Sequence, residues 1–122
     1  MISVVIPLYN KEEQIADTLQ SIFAQTFQDF EIVIVDDGST DNCPAICDRY
    51  AAENDRVKFV HRKNGGLSAA RNTGVKACDG DYVGFIDSDD YISPVFYEAL
   101  YRAIKQSGVE MAAMRYGVDF FD

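Results

Sequence analysis

Glu31-Ile32-Val33-Ile34-Val35-Asp36-Asp37-Gly38-Ser39-Thr40-Asp41 joins a continuous β-branched run to an acidic turn. Alternation of apolar and polar residues would mark a strand with one face in water. Here four apolar residues follow one another, as in a strand buried on both faces. The run ends at Asp36-Asp37-Gly38, and Asp41 is placed to cap a helix reaching about Glu53. A buried strand, a polar turn and a helix form the repeating unit of a doubly covered parallel sheet.

Working outward, the same unit recurs. Ile2–Leu8 is a first buried strand, followed by a helical pattern over Lys11–Gln25 with Ile15, Leu19, Ile22 and Phe23 on one face. Val57–His61 is a short third strand. Gly65-Gly66 breaks the chain before a helical stretch from Leu67 to about Ala77. Asp81–Asp87 is a fourth strand, and Ser93-Pro94 opens another helix with Pro in its first turn. Gly108 stops that helix, and Val109–Tyr116 is the expected fifth strand. The predicted fold is therefore α/β, a mostly parallel sheet with helices on both faces, with residues 1–122 as one domain.

In such sheets ligands bind beyond the carboxyl ends of the strands. The polar chemistry of this chain falls there: Tyr9-Asn10 after the first strand, Asp36-Asp37 after the second, Asn64-Gly65-Gly66 after the third, and Asp87-Ser88-Asp89-Asp90 after the fourth. Arg71 and Asn72 follow one helical turn beyond the glycines. Three carboxylates in four residues repel one another unless a cation lies between them. An Asp-x-Asp at a strand end suits Mg²⁺ or Mn²⁺, which take one or two carboxylates together with phosphate oxygens and water. The competing reading of these residues is a solvated acidic turn. At the second strand's end, one carboxylate is suited to accept from a base N–H while the other braces the turn.

Composition narrows the classes. The formal net charge is −9, from 20 acidic and 11 basic residues, which disfavours a nucleic-acid partner but not a nucleotide reached through a cation. Cys43, Cys47 and Cys78 show neither an even count nor a Cys-x-x-Cys pair, so reduced thiols are expected. The start of the chain lacks the features of a signal peptide, and no stretch is long and apolar enough to span a bilayer. A cytoplasmic location is expected, with membrane association in a longer parent protein. The first strand is followed by Pro7-Leu8-Tyr9-Asn10-Lys11 rather than Gly-x-Gly-x-x-Gly, which excludes a dinucleotide-binding oxidoreductase. The Gly-Lys-Ser/Thr of a P-loop is also missing. The Asp-x-Asp follows the fourth strand, not the first as in aspartate-nucleophile phosphatases.

The motifs together resemble the family 2 glycosyltransferases of the GT-A fold, nearly from end to end. Ile6-Pro7-Leu8-Tyr9-Asn10, Val35–Asp41, Asn64–Gly74 and Phe85–Asp90 stand in the family's order and at similar spacing. The resemblance implies a UDP-sugar donor, with Tyr9 against the uracil and Asp37 accepting from its imide, supported by Asp36. It implies Arg71 along the ribose and diphosphate, Asp87 at the ribose or beside the metal, and Asp89 as ligand to Mg²⁺ or Mn²⁺. Pro7, Asn10, Gly66 and Ser88 belong to the same nucleotide-binding motifs. The implied reaction passes the sugar to a hydroxyl of a glycan or lipid-linked acceptor, usually with inversion, in cell-surface polysaccharide synthesis.

In the family, the general base lies in a second half of the fold, beyond the Asp-x-Asp region. The chain ends soon after that region, so the base is not assigned to any residue here. Two readings follow: a glycosyltransferase donor half, or a nucleotide-sugar-binding module without transfer. An apolar set (Met111, Met114, Tyr116, Phe120 and Phe121) points either to self-association through the C-terminal edge or to packing back as the sheet's own edge.

Overall fold

Four apolar runs become parallel strands in the computed structural model, which describes residues 1–107. They are β1 (Ile2–Leu8), β2 (Phe30–Asp37), β3 (Val57–Arg62) and β4 (Tyr82–Phe85), in the spatial order β3-β2-β1-β4. The register pairs Val4 with Ile32 and Val5 with Val33, while Ile2 lies opposite Tyr82 and Asp36 opposite His61. Every residue of β1 and β2 is buried, the apolar runs Val4–Ile6 and Ile32–Val35 as well as Ser3, Glu31, Asp36 and Asp37.

Helices α1 (Ile15–Phe23), α2 (Cys43–Glu53), α3 (Leu67–Lys76) and α4 (Phe96–Ser107) cover both faces. On one face Val4, Ile6, Ile32 and Ile34 pack with Ile15 and Leu19 of α1, Cys43 and Cys47 of α2 and Tyr97 of α4. On the other, Val5, Val33 and Val35 pack with Ala70 of α3. That second layer is thin because α3 lies very close to the sheet. A Cβ on Gly74 would collide with Val5 Cγ1 and come within 3.2 Å of Val35 Cγ2. Glycine at this position is what allows the approach.

The helix starts differ from the sequence expectation, and tertiary contacts explain why. Residues 11–14 form a turn instead of the first turn of α1. Glu12 is drawn sideways: its N–H donates to Asp41 Oδ2 at 3.1 Å, and its carboxylate accepts the Asn42 N–H at 3.1 Å. Asp41 still accepts the Cys43 N–H at 2.9 Å, but the residue preceding α2 is Asn42. Pro94 stands before α4 rather than in its first turn, its carbonyl taken by the Thr26 N–H at 2.8 Å. Strand β4 is shorter than expected. It is also half open, with Val83 and Phe85 exposed, because it is the outer strand of the sheet among the described residues. The expected fifth strand and the apolar set from Met111 to Phe121 lie outside those residues. Among the described residues no helix is long and apolar enough to cross a membrane.

A polar network anchors the end of the sheet away from the strand-end loops. Glu31 is buried; its Oε2 accepts from the Ser3 hydroxyl at 2.5 Å and the Asp79 N–H at 2.6 Å, and its Oε1 faces Lys58 Nζ at 2.8 Å. The Ser3 hydroxyl in turn accepts the Gly80 N–H at 2.8 Å. These bonds fix the connection from α3 to β4 and hence the register in which β4 meets β1.

Candidate functional site

The strand order decides where a crevice opens. The chain steps outward from β1 to β2 to β3, and then α3 returns it to the far side of β1. Helices α1 and α2 pack on one face and α3 on the other, so the loops leading into them part at the carboxyl ends of β1, β2 and β3, which is the place where α/β sheets bind ligands. A cleft of about 470 Å³ lies at that point, within the range of small-molecule sites.

Its walls come from four loops. Pro7, Leu8, Tyr9 and Lys11 line it from the end of β1, and Asp37 from the end of β2. Asn64, Gly66, Leu67 and Ala70 line it from the start of α3, and Asp87, Ser88 and Asp89 from the loop after β4. Tyr9 is half exposed, its ring available to a planar ligand. Helix α3 begins after Gly66 with no side-chain cap, so the positive end of its dipole adjoins the cleft, as suits an anionic group.

Asp37 holds the third-motif loop in place. Its Oδ1 accepts the Gly65 N–H at 3.0 Å and faces Arg62 Nε at 3.2 Å, while its Oδ2 accepts the Gly66 N–H at 3.0 Å. The Asp37 carbonyl accepts from Asn64 Nδ2 at 3.0 Å. A carboxylate offers about four lone-pair sites, and among the described residues three are taken, leaving one on Oδ2. Gly38 has φ +77°, and a Cβ there would sit 2.8 Å from the Asn64 N; this close approach seats the loop against the end of β2. Gly66, at φ +98°, uses the left-handed freedom of glycine for the turn into α3.

Asp36 is also buried but does not line the cleft. Its Oδ1 accepts the Ser39 N–H at 3.1 Å and its Oδ2 stands 3.4 Å from His61 Nδ1. His61 Nε2 reaches Asp48 at 3.4 Å. Asn10 lies beyond the lining too. With φ +50°, it donates its N–H to Ser39 Oγ at 3.0 Å and accepts the Thr40 N–H through Oδ1 at 2.8 Å. It thus ties the loop after β1 to the loop after β2.

The acidic loop faces two cations. Lys11 Nζ lies 3.5 Å from Asp89 Oδ2, and Arg71 Nη2 lies 3.9 Å from Asp87 Oδ1. Arg71 lines a smaller hollow beside the main cleft, with Phe85 and Asp90, and Asp87 borders both. Burial and the charges of Asp87 and Asp89 raise the Asp90 carboxyl above its ordinary range. Among the described residues no three His, Cys, Asp or Glu side chains converge on one metal position. The donor set nevertheless fits Mg²⁺ or Mn²⁺ in the mode that uses one or two carboxylates and completes the shell with phosphate oxygens and water. Asp87 and Asp89 both border the cleft, in a loop whose negative charge is already crowded.

Cys43 and Cys47 are core thiols. Burial, aided by neighbouring acidic groups, pushes both up to about 12, and Cys43 Sγ accepts the Lys11 N–H at 3.3 Å. All three cysteines are free.

Sequence reasoning missed Lys11 and Arg62. Lys11 directly follows the first motif, and Arg62 stands two residues before the third. A buried Asp37 requires a counter-charge, which is the signal that points to Arg62.

The sequence matches the profile described as "Glycosyl transferase family 2" over residues 3–121. It is 40% identical to the uncharacterized glycosyltransferase EpsJ of Bacillus subtilis (strain 168) over 91% of this chain and 32% of EpsJ. Its fold matches S. aureus TarS in complex with UDP, with a TM-score of 0.79 and 34% identity over 86% of this chain and 32% of that one. The mannosyltransferase PcManGT from Pyrobaculum calidifontis, in complex with GDP-Man and Mn²⁺, matches with a TM-score of 0.71 and 27% identity over 76% of this chain and 29% of that one. The chain thus spans about a third of the length of these proteins.

Proposed function

The chain belongs to glycosyl transferase family 2, and we propose that its cleft is the donor site of a glycosyltransferase that holds a UDP-sugar with a divalent metal. The observation that carries this reading is the meeting of Tyr9, Asp37 and the Asp87–Asp89 loop around one cleft. An aromatic ring, a base acceptor and an acidic loop correspond to the three parts of a nucleoside diphosphate bound through a cation.

In this reading Tyr9 packs on the uracil, and the remaining lone pair of Asp37 Oδ2 accepts from its imide N–H. Pro7 and Gly66 flank the base and ribose, and the uncapped start of α3 faces the diphosphate. Asp36 and Asn10 act from behind, fixing the turn after β2 and joining it to the loop after β1. Ser88 and Asp87 border the ribose and phosphate, with Arg71 supporting Asp87. Asp89, with Asp87 beside it, holds Mg²⁺ or Mn²⁺, which when bound stabilises charge developing on the departing diphosphate. UDP is preferred over GDP because one acceptor facing a single imide N–H suits a pyrimidine. TarS in complexes with UDP and with UDP-GlcNAc supports this choice.

Transfer to an acceptor hydroxyl, with inversion, also requires a general base within hydrogen-bond reach of that hydroxyl. That step is not assigned to a residue of this chain. The acceptor we propose is a glycan or lipid-linked sugar, in cell-surface polysaccharide synthesis on the cytoplasmic side.

Calorimetric titration of UDP into the protein, with Mn²⁺ and then with EDTA, tests the reading. Binding that requires Mn²⁺ is expected. A folded protein that ignores UDP in both conditions would sink it.

A further inference from the structure

We propose that Lys11 is a built-in counter-ion for Asp89, occupying the metal's side of that carboxylate until a divalent ion displaces it, and then serving the donor's diphosphate. This rests on the donor-site reading of the cleft. Both residues line the same cleft, Lys11 from the loop after β1 and Asp89 from the loop after β4, with Nζ 3.5 Å from Oδ2.

The backbone of Lys11 is held firmly. Its N–H donates to Cys43 Sγ at 3.3 Å, and its carbonyl accepts the N–H groups of Gln14 at 3.1 Å and Ile15 at 2.9 Å. A fixed backbone leaves only the flexible four-carbon stem to move. The Lys11 side chain is 41% exposed and that of Asp89 46% exposed, and an ion pair this open to water is weak. Such a pair is weak enough to yield to a divalent cation.

Lysine suits this exchange better than arginine. Its ammonium is a compact, rotatable point charge, without the planar fork that locks a guanidinium to one carboxylate. The second cation at this loop makes the contrast visible. Arg71 has its guanidinium 5.7 Å from the Phe85 ring centre, a cation–π contact that holds it in place. Once released from Asp89, the Lys11 ammonium is still in the cleft, where a diphosphate is the strongest available anion.

Two affinities of opposite sign follow for Lys11→Gln. Free Mn²⁺ measured by electron paramagnetic resonance, without nucleotide, should show the variant binding Mn²⁺ about two- to fivefold tighter than the wild type, the range of an exposed ion pair. UDP titrated at saturating Mn²⁺ should bind the same variant about tenfold more weakly, as expected for one lost charge-assisted contact. Uridine, which lacks phosphates, should bind both proteins alike, and Lys11→Arg should stay closer to the wild type in Mn²⁺ affinity. Unchanged thermal melting of Lys11→Gln confirms that the exposed side chain carries no folding role.

Mn²⁺ affinity equal to or below the wild type's overturns the counter-ion role, and so does a wild type and variant that both ignore Mn²⁺. Undiminished UDP affinity overturns the diphosphate role. If the wild type binds UDP with Mn²⁺ and the variant matches it throughout, Lys11 alone is misassigned. If the wild type does not bind UDP at all, the donor-site reading itself falls.

Discussion

The Asp37 carboxylate accepts the backbone N–H of Gly66 at 3.0 Å, so the residue proposed to meet the nucleobase also builds the wall on the other side of the cleft. The second oxygen takes the Gly65 N–H and faces Arg62. A loop with two adjacent glycines has many conformations, and one buried carboxylate between strand β2 and helix α3 selects among them. Preorganisation of the third-motif loop and the proposed recognition of the base thus rest on the same side chain.

Asp37→Ala should therefore do two things at once. Leaving two loop N–H groups and the Arg62 guanidinium without their acceptor should cost about 2–4 kcal/mol of stability, read by urea denaturation. Asp37→Asn, which keeps one acceptor oxygen, should cost less. In calorimetry Asp37→Asn should weaken UDP more than pyrophosphate, because pyrophosphate makes no contact with the base. Equal losses for the two ligands would remove Asp37 from the base and leave it as a loop anchor.

Asp89→Ala tests the other end of the cleft. The variant should bind UDP with the same affinity in Mn²⁺ as in EDTA, because the carboxylate proposed to anchor the cation is gone. Asp90→Asn is the matched control. Asp90 borders the smaller hollow rather than the cleft, so its variant should keep a metal-dependent difference. A loss in both variants would mean that the loop as a whole, and not Asp89, carries the effect.

The buried Glu31 gives the fold a pH dependence unrelated to the cleft. Burial raises its carboxyl, but Lys58, the Ser3 hydroxyl and the Asp79 N–H together outweigh this and hold it below its ordinary value. The unfolded chain then binds the proton more readily, so the contribution is fully present above the ordinary carboxylate range, about pH 4.3. It disappears as pH falls through the lower folded value. Glu31→Gln should cost about 1–3 kcal/mol at neutral pH. The gap to the wild type in denaturation midpoint should close as the pH is lowered below about 4. A gap that is constant with pH would show that charge is not what Glu31 contributes.

The strands were legible because β1 and β2 are built around continuous apolar runs, Val4–Ile6 and Ile32–Val35, the pattern of a segment buried on both faces. The location of the site followed from topology, since every group of unusual polar residues lay after a strand. Helix starts were less legible. Glu12 and Pro94 have local sequences suited to a first turn, yet each gives its backbone or side chain to a distant partner, Asp41 for one and Thr26 for the other. Single-residue roles were the least accessible. Asp36 and Asp37 are adjacent and chemically identical, but the pleat sends one toward His61 and the other toward the cleft. Lys11 went unnoticed because its partner lies 78 positions along the chain and meets it only once β4 is laid beside β1.

Tyr97 offers a stability test independent of any ligand. Its side chain packs fully buried against Gly84 of β4, where a Cβ would lie 2.8 Å from the hydroxyl oxygen. Among the described residues that hydroxyl has no hydrogen-bond partner, and burial raises it well above the ordinary tyrosine value. Burying an unpaired hydroxyl costs about 1–3 kcal/mol, and phenylalanine fills nearly the same volume without it. Tyr97→Phe should therefore raise stability by about 1 kcal/mol, seen as a higher denaturant midpoint with an unchanged slope. Metal-dependent UDP binding should stay at the wild-type level, because α4 packs on the sheet face away from α3. A destabilised Tyr97→Phe would show that the hydroxyl is satisfied in solution, by water or by movement of β4.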